Sequence, residues 1–191
     1  MVTAGHLFDA CTDAVRGDSL YQNGNYAGSL EHPHNQENWV TIEDDSTSRD
    51  YVFEVETESG TEPIEGAVIN YETLITSNES VYQMGKSTGE TAGQLVDCNV
   101  TGDGTDGTDV ACVDFNGEGI RVDSQVQYFS EGDSGGPIYQ RFNSGVGIVS
   151  LGALGYDEAG TNNCNDGQAW NDCEGISSEH ISDSGFDFVP P

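Results

Sequence analysis

Positive charge is what this sequence has least of. Five basic residues stand against 34 acidic ones, for a formal net charge of -29, and the lone lysine, Lys86, is joined by arginines only at 16, 49, 121 and 141. Binding to a nucleic acid depends on Lys and Arg neutralising phosphate, so no nucleic-acid partner is expected. Long apolar runs are also missing. Nothing approaches the roughly 20 residues that cross a bilayer as a helix, and Met1 is followed by Val2-Thr3-Ala4-Gly5-His6 rather than a basic and then apolar leader; no membrane partner is expected. No window of helical length carries a 3.6-residue apolar period. The five cysteines, at 11, 98, 112, 164 and 173, include no Cys-x-x-Cys pair and no zinc-ribbon spacing, so neither a metal nor a cofactor is expected from them.

What is present suits a folded core inside an acidic shell. Hydrophobic residues make up 35% of the 191 and aromatics 9%, which a disordered acidic chain would not have. A shell of one sign repels itself at low salt, whereas molar salt shortens the screening length to about 3 Å. The composition is therefore read as an adaptation to high salt. Cys98 with Cys112 and Cys164 with Cys173 could close two polar loops, which points to an oxidising compartment and an exported protein; other pairings remain open, and Cys11 is left over.

Short β-branched runs bounded by Gly, Ser, Asp or Thr recur along the chain. Strands are expected at 51–56, 67–71, 94–96, 110–113, 119–122, 125–129, 137–139 and 145–151, with turns at 16–18, 23–25 and 32–35. Many short strands joined by glycine-rich turns predict an all-β barrel or sandwich. The segment 101–109 repeats Gly, Thr and Asp, with acids at 103, 106 and 109, but its spacing does not match an EF-hand, and solvated halophilic loops collect aspartates in any case. Asn78-Glu79-Ser80 and Asn99-Val100-Thr101 fit the acceptor pattern for N-glycosylation, a pattern short enough to arise by chance.

The strongest chemical signal is Gly132-Asp133-Ser134-Gly135-Gly136-Pro137. A serine flanked by glycines can sit on a tight turn that leaves its hydroxyl reachable, with the N–H groups of Gly132 and Ser134 aimed together at a developing oxyanion. A serine hydroxyl becomes a useful nucleophile only with a neutral imidazole to take its proton and an anion to orient that imidazole. Of the four histidines, at 6, 32, 34 and 180, the last three have the polar surroundings of surface or turn residues, which leaves His6. Asp50 is favoured as the orienting acid because it leads directly into apolar Tyr51-Val52-Phe53; Asp44 and Asp45 compete with it.

Thr3 to His6, Asp50 to Phe53 and Gly132 to Pro137 resemble, in order and approximate separation, the catalytic His, Asp and Ser blocks of the chymotrypsin-like serine proteases. Val81-Tyr82-Gln83-Met84-Gly85-Lys86-Ser87-Thr88-Gly89 resembles the segment that opens the second barrel in the streptogrisin branch. The resemblance implies two antiparallel β-barrels with the site between them: residues 1–78 as an N-terminal barrel carrying His6 and Asp50, residues 79–191 as a C-terminal barrel carrying Ser134. It implies a secreted serine endopeptidase acting on polypeptides without a cofactor, with Ser134 as nucleophile, His6 as general base and acid, Asp50 as its orienter, and Gly132 and Ser134 as the oxyanion hole. Only five residues precede His6 where family members carry several strands. The first barrel is therefore expected to be incomplete, and a monomer is expected once those strands are restored.

The resemblance also bears on specificity. Trypsin-like relatives carry an aspartate six residues before the nucleophile, where this chain has Tyr128, followed by Phe129; with Glu131 these would shape a pocket for an apolar or uncharged side chain. Ser150-Leu151-Gly152 would offer the edge that pairs with an extended substrate. Asp133 in such proteins pairs with a freed N-terminus or an equivalent internal group, and the sequence presents no evident partner for it. Two other readings use the same residues. An inactive homologue acting as a secreted binding module would have no chemical reason to keep both His6 and Ser134, and an esterase would carry its triad in the order Ser, Asp, His rather than His, Asp, Ser.

Overall fold

A computed structural model describes residues 2–4, 15–22, 25–34, 39–43, 54–68, 70–100, 119–130, 132–156, 169–170, 172–178 and 181. The fold is predominantly β. A first, four-stranded antiparallel sheet is built from β1 (Val2–Ala4), β2 (Ser19–Gln22), β3 (Asn25–His34) and β4 (Trp39–Glu43), in the order β1-β4-β3-β2. Gln22 pairs with Asn25, and residues 23 and 24 of the turn expected at 23–25 lie outside the described residues. The turn expected at 32–35 is different: His32, Pro33 and His34 continue β3 opposite Thr41, Val40 and Trp39, after a register shift between Leu30 and His32. Such an irregularity lets a strand accommodate a proline, which cannot donate to the ladder.

A larger sheet takes in β5 (Glu54–Thr57), β6 (Gly60–Ala67), β7 (Ser80–Gly85), β8 (Gly89–Val100), β9 (Gly119–Asp123), β11 (Pro137–Arg141), β12 (Val146–Tyr156) and β14 (Asp172–Ser177). Its order is β11-β7-β8-β9-β14-β12-β6-β5, and β11 pairs with β12 as well as with β7. The short strands β10 (Phe129–Ser130) and β13 (Ala169–Trp170) pair separately, Phe129 opposite Trp170. The hairpin β5–β6 lies before the expected boundary at 78/79, yet β6 runs parallel to β12 and hydrogen-bonds to it, with Ile64 opposite Val146 and Ala67 opposite Ile148. In space, β1 also packs against β12.

The period of two explains the core of the large sheet. Along β7, Val81, Gln83 and Gly85 turn inward while Tyr82 and Met84 are only half-buried. Val81 meets Leu95, Ile120, Val122, Tyr128, Phe129, Ile138 and Val149 in one apolar cluster. Each such fully buried side chain contributes about 1.5–3 kcal/mol. One expected strand, 67–71, is divided: β6 stops at Ala67, and Tyr71 opens a helix, α1 (Tyr71–Ser77). Asn70 caps that helix by accepting the Thr73 N–H at 3.2 Å, satisfying an amide the helix itself cannot. Tyr71 and Leu74, three residues apart on one helical face, then complete the cluster, and the Tyr71 hydroxyl donates to the Val149 carbonyl at 3.3 Å. Among the described residues no helix is long and apolar enough to cross a membrane.

Candidate functional site

The segment singled out around Ser134 forms a tight, internally bonded turn between β10 and β11. The Asp133 N–H donates to the Ser130 carbonyl at 3.1 Å and the Gly136 N–H to the Asp133 carbonyl at 2.9 Å. Gly132 and Gly135 bracket the Asp133-Ser134 pair at φ +89° and +79°, in the left-handed region that side-chain-bearing residues rarely occupy. Ser134, between them, is half-buried.

Asp133 points the other way and is 1% exposed. A carboxylate taken out of water costs several kcal/mol unless its lone pairs are satisfied. Here both oxygens are. Oδ1 accepts the N–H groups of Ser87 at 2.6 Å and Thr88 at 3.3 Å; Oδ2 accepts the Thr88 hydroxyl at 2.8 Å and the Ser130 N–H at 2.9 Å. All four donors are neutral, and among the described residues no cation pairs with this carboxylate. Three of the four come from the turn that joins β7 to β8, residues 86–88. The partner for Asp133 that was not evident in the sequence is therefore an internal one, made of two backbone amides and a hydroxyl.

The fit is close on every side. A Cβ on Gly85 would lie 2.3 Å from the carboxyl carbon of Asp133, one on Gly132 would lie 2.8 Å from the Ser87 hydroxyl, and one on Gly136 would lie 2.7 Å from the Met84 carbonyl. Gln83, two residues before Gly85 on the same strand face, is fully buried, and its amide makes no hydrogen bond among the described residues. The carboxylate is thus docked by the tip of the hairpin and not by the strand leading to it. Sequence reasoning passed over Ser87, Thr88 and Ser130. The signal for the first two was a pair of small hydroxyl residues between Gly85 and Gly89, where a turn exposes successive N–H groups.

On its other flank the nucleophile turn is tied to β12. The Gly135 N–H donates to the Gly152 carbonyl at 2.8 Å, and the Gly152 N–H donates to the Gly136 carbonyl at 3.0 Å. Ser150, Leu151 and Gly152 also pair with Ser177, Ile176 and Gly175 of β14. The turn that carries Ser134 is thus bonded to the 150–152 segment, and Gly152 does not present an open edge: both its backbone groups are used by the turn itself. Tyr128 and Phe129, expected along a substrate pocket, are 0% and 1% exposed and belong to the apolar core, because inward-facing aromatic area is stabilised there.

His6, Asp50 and Glu131 lie outside the described residues, as do Asp44, Asp45, Cys11, Cys112, Cys164, His180 and the acidic segment 101–109. Cys98 lies in β8, half-buried against the core cluster, and Cys173 lies in β14 opposite Val122. Both expected bridges involve a cysteine outside the described residues. Among the described residues no cluster of His, Cys, Asp and Glu could hold a metal ion.

No protein-family model and no curated protein matches the chain. Solved structures do. The chain is similar in fold to a chymotrypsin of Cellulomonas bogoriensis, with a TM-score of 0.61 and 16% identity over 96% of this chain and 81% of that one. It is similar to the Nocardiopsis protease NAPase, with a TM-score of 0.63 and 18% identity over 96% and 81%. It is also similar to a glutamic acid specific serine protease that uses a histidine triad in substrate binding, with a TM-score of 0.59 and 19% identity over 97% and 84%. At these identities the likeness shows the fold alone: a predominantly β chain whose architecture is consistent with that of these chymotrypsin-like structures.

Proposed function

We propose that this chain is a secreted serine endopeptidase. The observation that carries the proposal is the Gly132–Pro137 turn, with Ser134 at its apex and a buried, four-fold hydrogen-bonded Asp133 behind it, on a fold shared with serine proteases. In this reading His6 takes the Ser134 hydroxyl proton as the oxygen bonds to the peptide carbonyl carbon, and Asp50 holds the imidazole in the useful tautomer. The N–H groups of Gly132 and Ser134 receive the oxyanion. The carbon–nitrogen bond then breaks as His6 passes its proton to the leaving amine. Water, deprotonated by His6, hydrolyses the acyl ester and returns the proton to Ser134. The packing of β1 against β12 supports bringing His6, two residues beyond β1, toward the strand that holds the nucleophile turn.

The finer architecture belongs to the same reading. The pairing of β11 with both β7 and β12 favours a C-terminal barrel within 79–191, with 1–78 as the lobe of His6 and Asp50 and the hairpin 54–67 strapped across. Tyr128 and Phe129 would back the pocket from the core, Glu131 would sit at its rim, and an apolar or uncharged substrate side chain would suit it. Pairing of a substrate strand with Ser150-Leu151-Gly152 asks Gly152 to exchange its two bonds to the turn. That occupied edge is also what favours the second reading, a catalytically impaired homologue serving as a binding module.

Hydrolysis of casein in molar salt by the wild-type chain and by Ser134→Ala separates the two. Loss of essentially all turnover in the variant is expected, since the nucleophile is removed; equal rates in the two proteins would remove Ser134 from the chemistry.

A further inference from the structure

We propose that Thr88 is a positioning residue for catalysis: through its hydroxyl and N–H it fixes the Asp133 carboxylate, and through Asp133 the backbone of Gly132 and Ser134. The inference rests on the peptidase reading above. Its ground is the arrangement of donors. Two of the four hydrogen bonds to Asp133 come from this one residue, at 2.8 Å from the hydroxyl and 3.3 Å from the amide, and the adjacent Ser87 N–H supplies the shortest, at 2.6 Å. Ser130, the fourth donor, stands three residues before Asp133 in β10, which pairs with the short strand β13 outside the large sheet. Among the described residues, the 86–88 turn is what bonds the carboxylate to the large sheet.

The consequences follow from geometry. Asp133 and Ser134 are consecutive, so a carboxylate held by the hairpin restrains the backbone on both sides of Asp133, including the N–H of Ser134. A carboxylate released from the hairpin would seek water, and that restraint would be lost. The hairpin tip is itself firmly placed: β7 and β8 pair continuously from Ser80 opposite Gln94 to Gly85 opposite Gly89. Donors of this kind are fixed once the hairpin forms, and none of them is lost to salt in the way an exposed ion pair is.

The test compares Thr88→Val, which keeps the shape and removes the hydroxyl, with Thr88→Ser, which restores it. Turnover of a peptide ester and hydrogen exchange of the 132–136 amides are measured on the same samples. In Thr88→Val, kcat is expected to fall about tenfold to a hundredfold, the range for losing a hydrogen bond to a charged group, with KM little changed and exchange at 132–136 accelerated; Thr88→Ser restores both. If Thr88→Val does not fold, Thr88→Ala takes its place in the comparison. Unchanged kcat and exchange in the variant overturn the proposal, as does a fall in kcat with no change in exchange or no recovery in Thr88→Ser. Accelerated exchange in Thr88→Val, in a wild-type protein that lacks Ser134-dependent turnover, supports the positioning role and refutes the peptidase reading instead.

Discussion

Two carboxylates on the same hairpin are handled in opposite ways. Among the described residues Asp133 docks at the tip of β7–β8 on neutral groups, whereas Glu90, one residue past that tip, sits in a cluster built around a cation. Its Oε2 accepts the Arg141 guanidinium, the Tyr139 hydroxyl and the Glu58 N–H, each at 2.8 Å. Arg141 also lies 3.6 Å from Glu62 and stacks over the Tyr82 ring at 4.9 Å from its centroid. The first site orients backbone around the candidate nucleophile and the second straps the β5–β6 hairpin, through Glu58 and Glu62, to the body of the sheet. In a chain with five basic residues, one arginine serves the strap, while among the described residues none pairs with Asp133. Fixed dipoles suffice where geometry must be held; a cation is used where two acidic segments must be brought together against their own repulsion.

The largest effect is expected at the neutral site. Gly85→Ala places a methyl 2.3 Å from the Asp133 carboxyl carbon, so either the carboxylate leaves or β7 shifts. Turnover should fall by roughly a hundredfold or more, as when oxyanion donors are lost, and thermal unfolding should register about 3 kcal/mol of destabilisation. A variant with wild-type rates would show that the turn does not depend on this packing. At the charged site, Arg141→Met keeps much of the stem but leaves Glu90 and Glu62 facing each other. The cost, discounted because the arginine is 29% exposed, is about 2 kcal/mol at low salt. It should shrink in molar salt, while any defect in Thr88→Val should persist there; equal salt sensitivity in the two variants would erase the distinction.

The Gly132–Pro137 turn was legible in the sequence because its conformation is local. Gly132 and Gly135 hold the two left-handed positions that the turn needs. Strand β7 was not read as a strand from its own pattern, but β9, β11 and β12 were legible too, since β-branched runs declare them. The hydrogen bonds that seat Asp133 were not, because Ser87 and Thr88 are 46 and 45 residues away and nothing in a serine or threonine announces its acceptor. The burial of Tyr128 and Phe129 in the core was hidden for a related reason. Position relative to Ser134 said where they stand along the chain, but which face of the sheet they occupy is decided by β7–β9 and β11, with which they share the core. At Ala67 to Tyr71 a β-branched run was overridden by the Asn70 cap, whose effect is felt only once Tyr71 and Leu74 have an apolar surface to cover.

The smallest effect lies within the charged cluster and has a defined sign. Tyr139 is buried, and its hydroxyl is held far above the ordinary value near 10 by that burial first, then by its hydrogen bond to Glu90 and the charge of the same carboxylate, with Arg141 opposing. A tyrosine whose folded pKa is raised contributes fully below its unfolded value of about 10 and loses that contribution as pH climbs toward the folded one. Above about pH 10 the unfolded chain ionises while the folded chain keeps the proton, so stability falls by up to about 1.4 kcal/mol per pH unit from this residue alone. Denaturant unfolding of wild type and Tyr139→Phe from about pH 9 to 11.5 isolates the contribution, because the other tyrosines and Lys86 are common to both proteins. The wild-type curve should drop more steeply; parallel curves would mean that the Glu90 cluster does not hold the phenol proton.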